Sequence, residues 1–227
     1  MRAEEVLREL KSKANPAAVK GMERFGISPS GTLGVSMPVL RSMAKGIGKD
    51  HRLALRLWDS GVHEARILAA LVDVPALVTE DQMERWAGEF DSWDVCDQCC
   101  SNLFDRTKWA HSKALEWSRR REEFVRRAGF ALMAALAVHD KEAADSEFEA
   151  FLPAIMRGAT DERNFVKKAV NWALRQIGKR SRPLNEKAVG LARELSDSDS
   201  RAARWVGKDA VRELMSEGVL KKLTRSS

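Results

Sequence analysis

Short segments of similar sequence recur along this chain, and their spacing constrains its fold more than any other feature. Phe124–Ala128 (FVRRA) returns 41 residues later as Phe165–Ala169 (FVKKA), and a looser copy, Arg201–Trp205 (RAARW), follows about 36 residues further on. Upstream, His63–Leu68 and a helix predicted to start at Trp93 keep a similar spacing. Repeats of roughly 30–41 residues, each long enough for two helices, are typical of α-solenoids of the HEAT or armadillo type.

The rest of the chain agrees with an all-α fold. Apolar residues recur with the 3.6-residue period of a helix, while alternating strand patterns and Asn-Gly or Asp-Gly hairpin turns are absent from the sequence. The longest irregular stretch is Gly26–Pro38, which we interpret as a loop. We therefore predict one domain over residues 1–227, an α-solenoid of HEAT-like helical repeats. The second helix of each pair should line a concave face, where repeated cations would form a basic groove.

Charge is concentrated in Arg163–Arg182, which contains seven cations and no carboxylate in a chain of net charge +6. Plotted as a helix, this segment has one apolar face, and Lys168, Arg175 and Lys179 follow one another along the opposite face. Trp172 lies at the boundary between the two. Cations beside an aromatic ring suit nucleic acid, which offers phosphates and bases together. The alternative is a solvated charged face with Trp172 in the core.

Other sequence features exclude several classes of protein. No apolar stretch approaches the roughly 18–20 residues of a membrane span, and no signal peptide is visible, so we expect a cytoplasmic protein. Cys96, Cys99 and Cys100 contain a C-x-x-C pattern, which can be redox-active or half of a zinc site. Because no second pair exists and all three lie on one side of a predicted helix, we interpret them as buried thiols. We predict no metal site, since the four histidines form no H-x-x-x-H pair.

The segment Asp91–Asp97 (DSWDVCD) is a first candidate site. Ser92 or Asp91 can cap a helix on which Trp93 and Asp97, four residues apart, share a strip at the edge of the buried side, while Asp94 points further out. A carboxylate beside an indole can stabilise positive charge or orient a water molecule. The alternative is an exposed aspartate favoured by the helix dipole, with Trp93 simply packing.

Arginines at the boundary of an apolar face form a second candidate site. Arg126 and Arg127 lie near the start of a predicted helix, Arg127 falls at the boundary of its apolar face, and arginine suits bidentate contact with phosphate. The alternative is an intramolecular pair with Glu122 or Glu123. The residues that we expect to bind DNA are Arg126, Arg127, Lys167, Lys168, Arg175 and Lys179.

Taken together, these segments resemble the AlkD-type DNA alkylation repair glycosylases, which are HEAT-like-repeat proteins of similar length. The resemblance covers nearly the whole chain, and the order and spacing of its motifs carry it rather than any single one. The matching segments are Leu33–Arg41 (LGVSMPVLR), Trp93–Asp97 (WDVCD), Arg127-Ala128 and Phe165–Arg175 (FVKKAVNWALR).

The resemblance implies a monofunctional glycosylase that excises N3- or N7-alkylated purines without extruding the base into a pocket. Trp93 and Trp172 match the rings that cradle the sugar of the lesioned nucleotide, Asp97 matches the acidic residue, and Arg127 matches the phosphate-contacting arginine. The implied partner is double-stranded DNA containing alkylated purines, bound by a nucleoid-associated monomer. Neither a metal nor another cofactor is implied.

Two departures from the family keep alternatives open. Ser92 stands where some relatives have a second aromatic residue, and the chain contains no tyrosine. Because some relatives bind DNA but have lost excision, the first alternative is a non-catalytic DNA-binding HEAT-repeat protein that recognises damaged or branched DNA. The second alternative is a HEAT-type protein scaffold.

Overall fold

The computed structural model describes residues 2–225, and every regular element in that part of the chain is a helix. The predicted all-α class is therefore confirmed. Backbone contacts divide the chain into two compact units, Met1–Thr107 (unit 1) and Lys108–Ser227 (unit 2). The expectation of one domain over residues 1–227 stays a prediction. No helix among the described residues is long and apolar enough to cross a membrane.

Unit 1 is organised around one central helix. Its helices are α1 (Ala3–Ser12), α2 (Pro16–Glu23), α3 (Met37–Ile47), α4 (His51–Asp59), α5 (His63–Val72), α6 (Glu80–Gly88) and α7 (Trp93–Asn102), with short 3-10 helices at Pro75–Leu77 and Phe104–Arg106. Helix α5 packs against α3, α4 and α7. In the core the rings of Trp58 and Trp86 stack with centroids 4.0 Å apart and planes only 4° from parallel. These two indoles are fully buried, so neither can contact a ligand.

Unit 2 is built from helix pairs whose second members lie side by side. Its helices are α8 (Ala110–Trp117), α9 (Glu123–His139), α10 (Asp145–Glu149), α11 (Leu152–Gly158), α12 (Asn164–Gly178), α13 (Arg182–Ser196), α14 (Arg201–Leu214) and α15 (Glu217–Arg225). The pairs α8–α9, α11–α12 and α13–α14 are in contact, and α12 packs against both α9 and α14. Helices α9, α12 and α14 therefore form a row with α12 in the centre.

The sequence repeats mark the starts of these second helices. FVRRA opens α9, FVKKA opens α12, and RAARW opens α14, while in unit 1 the related segments open α5 and α7. Val125 and Ala128 are buried, and so are their counterparts Val166 and Ala169. The sequence repeats because each of these helices must bury the same apolar positions. The cations of the repeat then lie at the edge of the buried face.

Close approach of the two helices in a pair depends on glycine. A Cβ atom added to Gly129 of α9 would come within 2.8 Å of the backbone carbon of Trp117 on α8. A Cβ atom on Gly207 of α14 would likewise clash with the backbone of α13 at Ala192 and Ser196. Because real Cβ atoms do not come this close to backbone, glycine is required at both positions for the helices to pack as they do.

The basic run Arg163–Arg182 does not form one continuous helix, although we plotted it as one. Helix α12 ends at Gly178, and α13 begins at Arg182. The side chain of Ser181 accepts a hydrogen bond from the backbone N–H of Leu184 at 3.2 Å, and a proline occupies the first turn of α13. A capping serine followed by Arg-Pro starts a new helix at this point. Arg180 and Arg182 therefore do not continue the row of cations on α12.

Candidate nucleic-acid interface

Trp93 and Asp97 lie one turn apart on α7, as predicted. Ser92 is the N-cap residue in extended conformation, and the helix begins at Trp93. Both side chains are half-buried, and the indole N–H of Trp93 donates to the backbone carbonyl of Phe25 at 3.0 Å. This hydrogen bond restrains the orientation of the indole, so the structure presents an oriented aromatic ring and a carboxylate on one strip of α7.

Asp94 does not point out into solvent, which corrects the expectation from the sequence. Its Oδ2 atom lies 2.9 Å from Nε2 of the buried His63, the first residue of α5. Burial alone would raise the pKa of Asp94, but the hydrogen bond and the charge of His63 outweigh it, and the pKa is lowered. Burial likewise opposes charge on His63, yet the bond to Asp94 raises its pKa. The helical wheel missed this pair because the partner comes from a neighbouring helix.

Glu64, next to His63, anchors the loop that precedes α3. Its carboxylate is buried and accepts hydrogen bonds from the backbone N–H groups of Leu33 at 2.8 Å, Gly34 at 2.6 Å and Val35 at 3.2 Å. Gly34 has φ of +78°, and a Cβ atom there would clash with the carbonyl of Asn15. The LGVSMP segment of the family resemblance therefore has a structural role here. Sequence reasoning treated Glu64 only as part of a repeat, because its partners lie about thirty residues away.

The three cysteines are buried thiols, as predicted. Cys96, Cys99 and Cys100 form no disulfide and have no exposed surface. Burial raises the pKa of Cys99 and of Cys100 well above the ordinary value of 9.0. Neutral, inaccessible thiols fit a packing role on the inner side of α7. Within residues 2–225 no group of three or more histidine, cysteine or acidic side chains is arranged to hold a metal ion.

Arg127 is placed between α9 and α12 in unit 2. Only 6% of the residue is exposed, and its guanidinium donates to the backbone carbonyl of Phe165 at 2.5 Å. Phe165 lies in the first turn of α12, and its ring packs against that of Phe124 with centroids 5.6 Å apart. Arg127 therefore ties the first turn of α12 to α9, and little of its side chain is left to reach a phosphate.

Arg126 shares a carboxylate with an arginine from the start of α12. Its Nε atom lies 3.4 Å from Oδ2 of Asp161, while Arg163 donates to the same carboxylate at 2.7 Å. The pKa of Asp161 is lowered because the hydrogen bond and charge of Arg163, with the charge of Arg126, outweigh the effect of burial. The partner of Arg126 is thus Asp161 rather than Glu122 or Glu123. Two cations around one anion leave a local excess of positive charge.

Acidic residues of α14 neutralise part of the basic run, although the run itself contains none. Nζ of Lys179 lies 2.6 Å from Oε1 of Glu213, and Arg175 pairs with the other oxygen of the same carboxylate. Asp209 adds a contact of 3.9 Å with Nε of Arg175 and accepts a hydrogen bond from Asn171 at 2.7 Å. The sequence could not show this, since the acids stand more than thirty residues further along the chain.

Lys167, Lys168 and Trp172 occupy the first half of α12. Lys168 is exposed, and among the described residues it has no carboxylate partner. Nζ of Lys167 lies 5.2 Å from the ring centroid of Trp205 on α14. Trp172 is half-buried, four residues after Lys168 and three before Arg175. Helix α12 thus places a partly exposed ring within a row of cations, and within residues 2–225 neither Lys167 nor Lys168 pairs with a carboxylate.

The predicted site residues fall into two sets. Trp93 and Asp97 belong to unit 1 and lie together on α7. Trp172 and the six predicted DNA-binding cations belong to unit 2, where they lie on the neighbouring helices α9 and α12 or, for Lys179, directly after α12. Sequence reasoning missed the residues that hold these sets in place, namely His63, Glu64, Asp161 and Glu213.

Comparisons with known proteins agree with the family resemblance. The family described as DNA alkylation repair enzyme matches residues 6–214 of the chain. A solved structure matches with a TM-score of 0.77 and 22% sequence identity, over 94% of this chain and 96% of that one. It represents a new family of proteins related to the HEAT-like repeat DNA glycosylases, with affinity for branched DNA structures.

This likeness establishes the fold, so the predicted HEAT-like helical repeats are confirmed. No curated protein sequence matches the chain at a significant level. The family match spans most of the chain and includes α7, α9 and α12, on which the candidate residues lie. The chain belongs to the DNA alkylation repair enzyme family.

Proposed function

We propose that this protein is a DNA glycosylase that removes N3- or N7-alkylated purines by hydrolysing the N-glycosidic bond, without moving the base into a pocket. The observation that carries this proposal is the strip on α7 where an oriented indole, Trp93, lies one turn from a half-buried carboxylate, Asp97. Membership of a DNA alkylation repair family supports it.

The chemistry of the lesion determines what such a site must supply. An N3- or N7-alkylated purine carries a formal positive charge, so the base takes the bonding electrons and leaves as a neutral molecule when the bond from C1′ to N9 breaks. Positive charge then develops on the sugar. An aromatic face stabilises a cation by about 0.5–2 kcal/mol, and a nearby carboxylate stabilises it directly. Water then adds to C1′ and gives up a proton, which Asp97 accepts.

Asp94, three residues before Asp97 on the same helix, is not assigned this role. The carboxylate of Asp94 is committed to His63, and its lowered pKa makes it a weaker proton acceptor. The family resemblance assigns a second ring at the sugar to Trp172. The proposed hydrolysis requires no lysine nucleophile, metal or cofactor, so we expect base release without strand cleavage.

The DNA backbone is held by the cations of unit 2. Lys168 is the strongest candidate, because it is exposed and unpaired among the described residues. Lys167 on α12 and Arg126 on α9 are further candidates, and both are half-buried. Arg127 can reach a phosphate only through the small exposed part of its guanidinium. Arg175 and Lys179 both pair with Glu213. To contact a phosphate, each must leave this carboxylate or share its charge with it.

Release of 7-methylguanine from methylated duplex DNA tests the proposal. Replacing Asp97 with Asn should lower the rate about 100- to 1,000-fold, because it removes the charge but keeps the shape. Asp91→Asn is the matched control, since this carboxylate precedes α7 and is 61% exposed. Equal rates for wild type and Asp97→Asn would contradict the assigned role, and no release by wild type at high enzyme concentration would refute the glycosylase.

The second candidate function is a non-catalytic DNA-binding HEAT-repeat protein. The affinity of the structural neighbour for branched DNA favours it over a protein scaffold. Duplex binding without base release supports this candidate. A protein scaffold predicts no duplex binding even at low salt, whereas DNA binding gives a salt slope of about 0.9 per phosphate contact.

A further inference from the structure

Trp205 is the most exposed of the seven tryptophans, with 41% of its surface accessible. It lies on α14, whose inner face is already filled by Ala203, Val206 and Ala210, all fully buried. The indole therefore lies outside the fully buried face of α14. An exposed ring of this size on an otherwise charged helix face indicates a contact with another molecule.

The surroundings of Trp205 are cationic. Nζ of Lys167, on the neighbouring helix α12, lies 5.2 Å from the ring centroid, a cation–π distance. Arg201 precedes Trp205 by four residues and Lys208 follows it by three, so all three share one exposed face of α14. Within residues 2–225 neither Arg201 nor Lys208 has a carboxylate partner.

Two nearby carboxylates are already engaged. Glu162 accepts a hydrogen bond from the backbone N–H of Ala202 at 3.1 Å, which caps the start of α14. Asp209 is held by Asn171 at 2.7 Å and also pairs with Arg212. Lys167, Arg201 and Lys208 therefore keep their charge available for an external anion. We call Lys167, Arg201, Trp205 and Lys208 the α14 platform.

We propose that the α14 platform binds an unpaired nucleotide of DNA, with the base stacked on Trp205 and the flanking phosphates on the cations. An unpaired base exposes an aromatic face that a continuous duplex offers only at its ends. Duplex phosphates alone give no reason for a large ring at the centre of the cations. The inference rests on the proposed function only in taking DNA as the ligand, and it involves no excision chemistry.

Binding of two DNA probes to the full chain tests the platform. Fluorescence anisotropy at low salt compares a blunt duplex with the same duplex carrying a single-stranded overhang of about five nucleotides. Wild type should prefer the overhang, and Trp205→Ala should lose about 5- to 150-fold in affinity for it, the range for one stacked base. Trp205→Phe should keep most of the preference, because it retains an aromatic face. Leu77→Ala, which shortens an exposed apolar side chain in unit 1, is the matched control and should change nothing.

Three results with the DNA probes overturn the platform: equal affinity of wild type for both probes, an unchanged preference in Trp205→Ala, or equal loss on both probes. Equal loss on both probes indicates a contact with duplex backbone. Binding of a polyglutamate peptide with an affinity that matches the overhang probe also overturns it, since the surface would then take acidic protein segments.

The base-release assay separates this inference from the proposed function. If wild type prefers the overhang through Trp205 but releases no 7-methylguanine, the platform stands and the glycosylase fails. If wild type and Trp205→Ala release the base equally and neither prefers the overhang, the glycosylase stands and the platform fails.

Discussion

Glu213 limits the positive charge that α12 can offer to DNA, and removing its charge should strengthen DNA binding. Its carboxylate pairs with Lys179 at 2.6 Å and with Arg175 through the other oxygen. The pKa of Glu213 is lowered because its hydrogen bonds with Lys179 and Arg175 outweigh the effect of burial. At neutral pH the carboxylate is therefore charged and holds both cations. The change Glu213→Gln keeps the shape of the side chain and releases them.

The size of the effect follows from the number of cations released. Lys179 loses its carboxylate partner in Glu213→Gln, whereas Arg175 keeps a contact of 3.9 Å with Asp209. One to two additional phosphate contacts are therefore expected, and the log–log salt slope should steepen by about 0.9 to 1.8. At about 0.1 M salt, the same relation gives roughly 8-fold tighter binding for one contact and about 60-fold for two. The cost in folding stability should be small, about 1 kcal/mol or less for each of these partly exposed pairs.

The assay is fluorescence anisotropy with an undamaged duplex at several salt concentrations. Glu186→Gln is the matched control, because it changes net charge equally but removes the solvent-exposed partner of Arg182 on α13. If the two variants steepen the salt slope by the same amount, net charge explains the effect. The second half of α12 would then not contact DNA, and our assignment of Arg175 and Lys179 would be wrong. Thermal unfolding of both variants verifies that each is folded.

Two further predictions concern Trp172 and the His63–Asp94 pair. Trp172→Ala should lose most 7-methylguanine release while duplex affinity stays within about 3-fold, because the ring is assigned to the sugar; normal turnover in single-turnover kinetics would remove that assignment. Asp94→Asn should destabilise the protein by about 1.5–3 kcal/mol near pH 6 and by less near pH 9, as measured by urea unfolding. Because the pKa of His63 is raised in the folded protein, the stabilisation that the charged pair provides is complete below about pH 6.5. It is lost as the pH rises through the folded-state pKa. A destabilisation that is the same at both pH values would show that His63 does not change its protonation state between them.

The helical repeats are the part of this protein that sequence reasoning predicted well. Buried residues such as Val125 and Val166 recur at the starts of successive helices, and a local 3.6-residue period reveals such positions without knowledge of the fold. The start of α7 at Trp93 was predicted correctly from the residues next to it, with Ser92 at the N-cap position, although its side chain makes no capping hydrogen bond. The break in the basic run after Gly178 was also encoded locally, in Ser181 and the proline that follows, but the plotted helix ignored it.

By itself, the sequence determined the helical class, the repeat and the placement of Trp93, Asp97 and Trp172 on helices, because each depends on neighbours within a few residues. Only the tertiary structure decided which charges remain available. Asp94 is held by His63, and Glu213 neutralises Arg175 and Lys179, although each pair is separated by about thirty residues or more. Charge pairs between helices depend on how the helices pack, and a linear count of cations cannot contain that information. The structure thus moves the strongest candidates for DNA backbone contact to the first half of α12 and to the exposed face of α14.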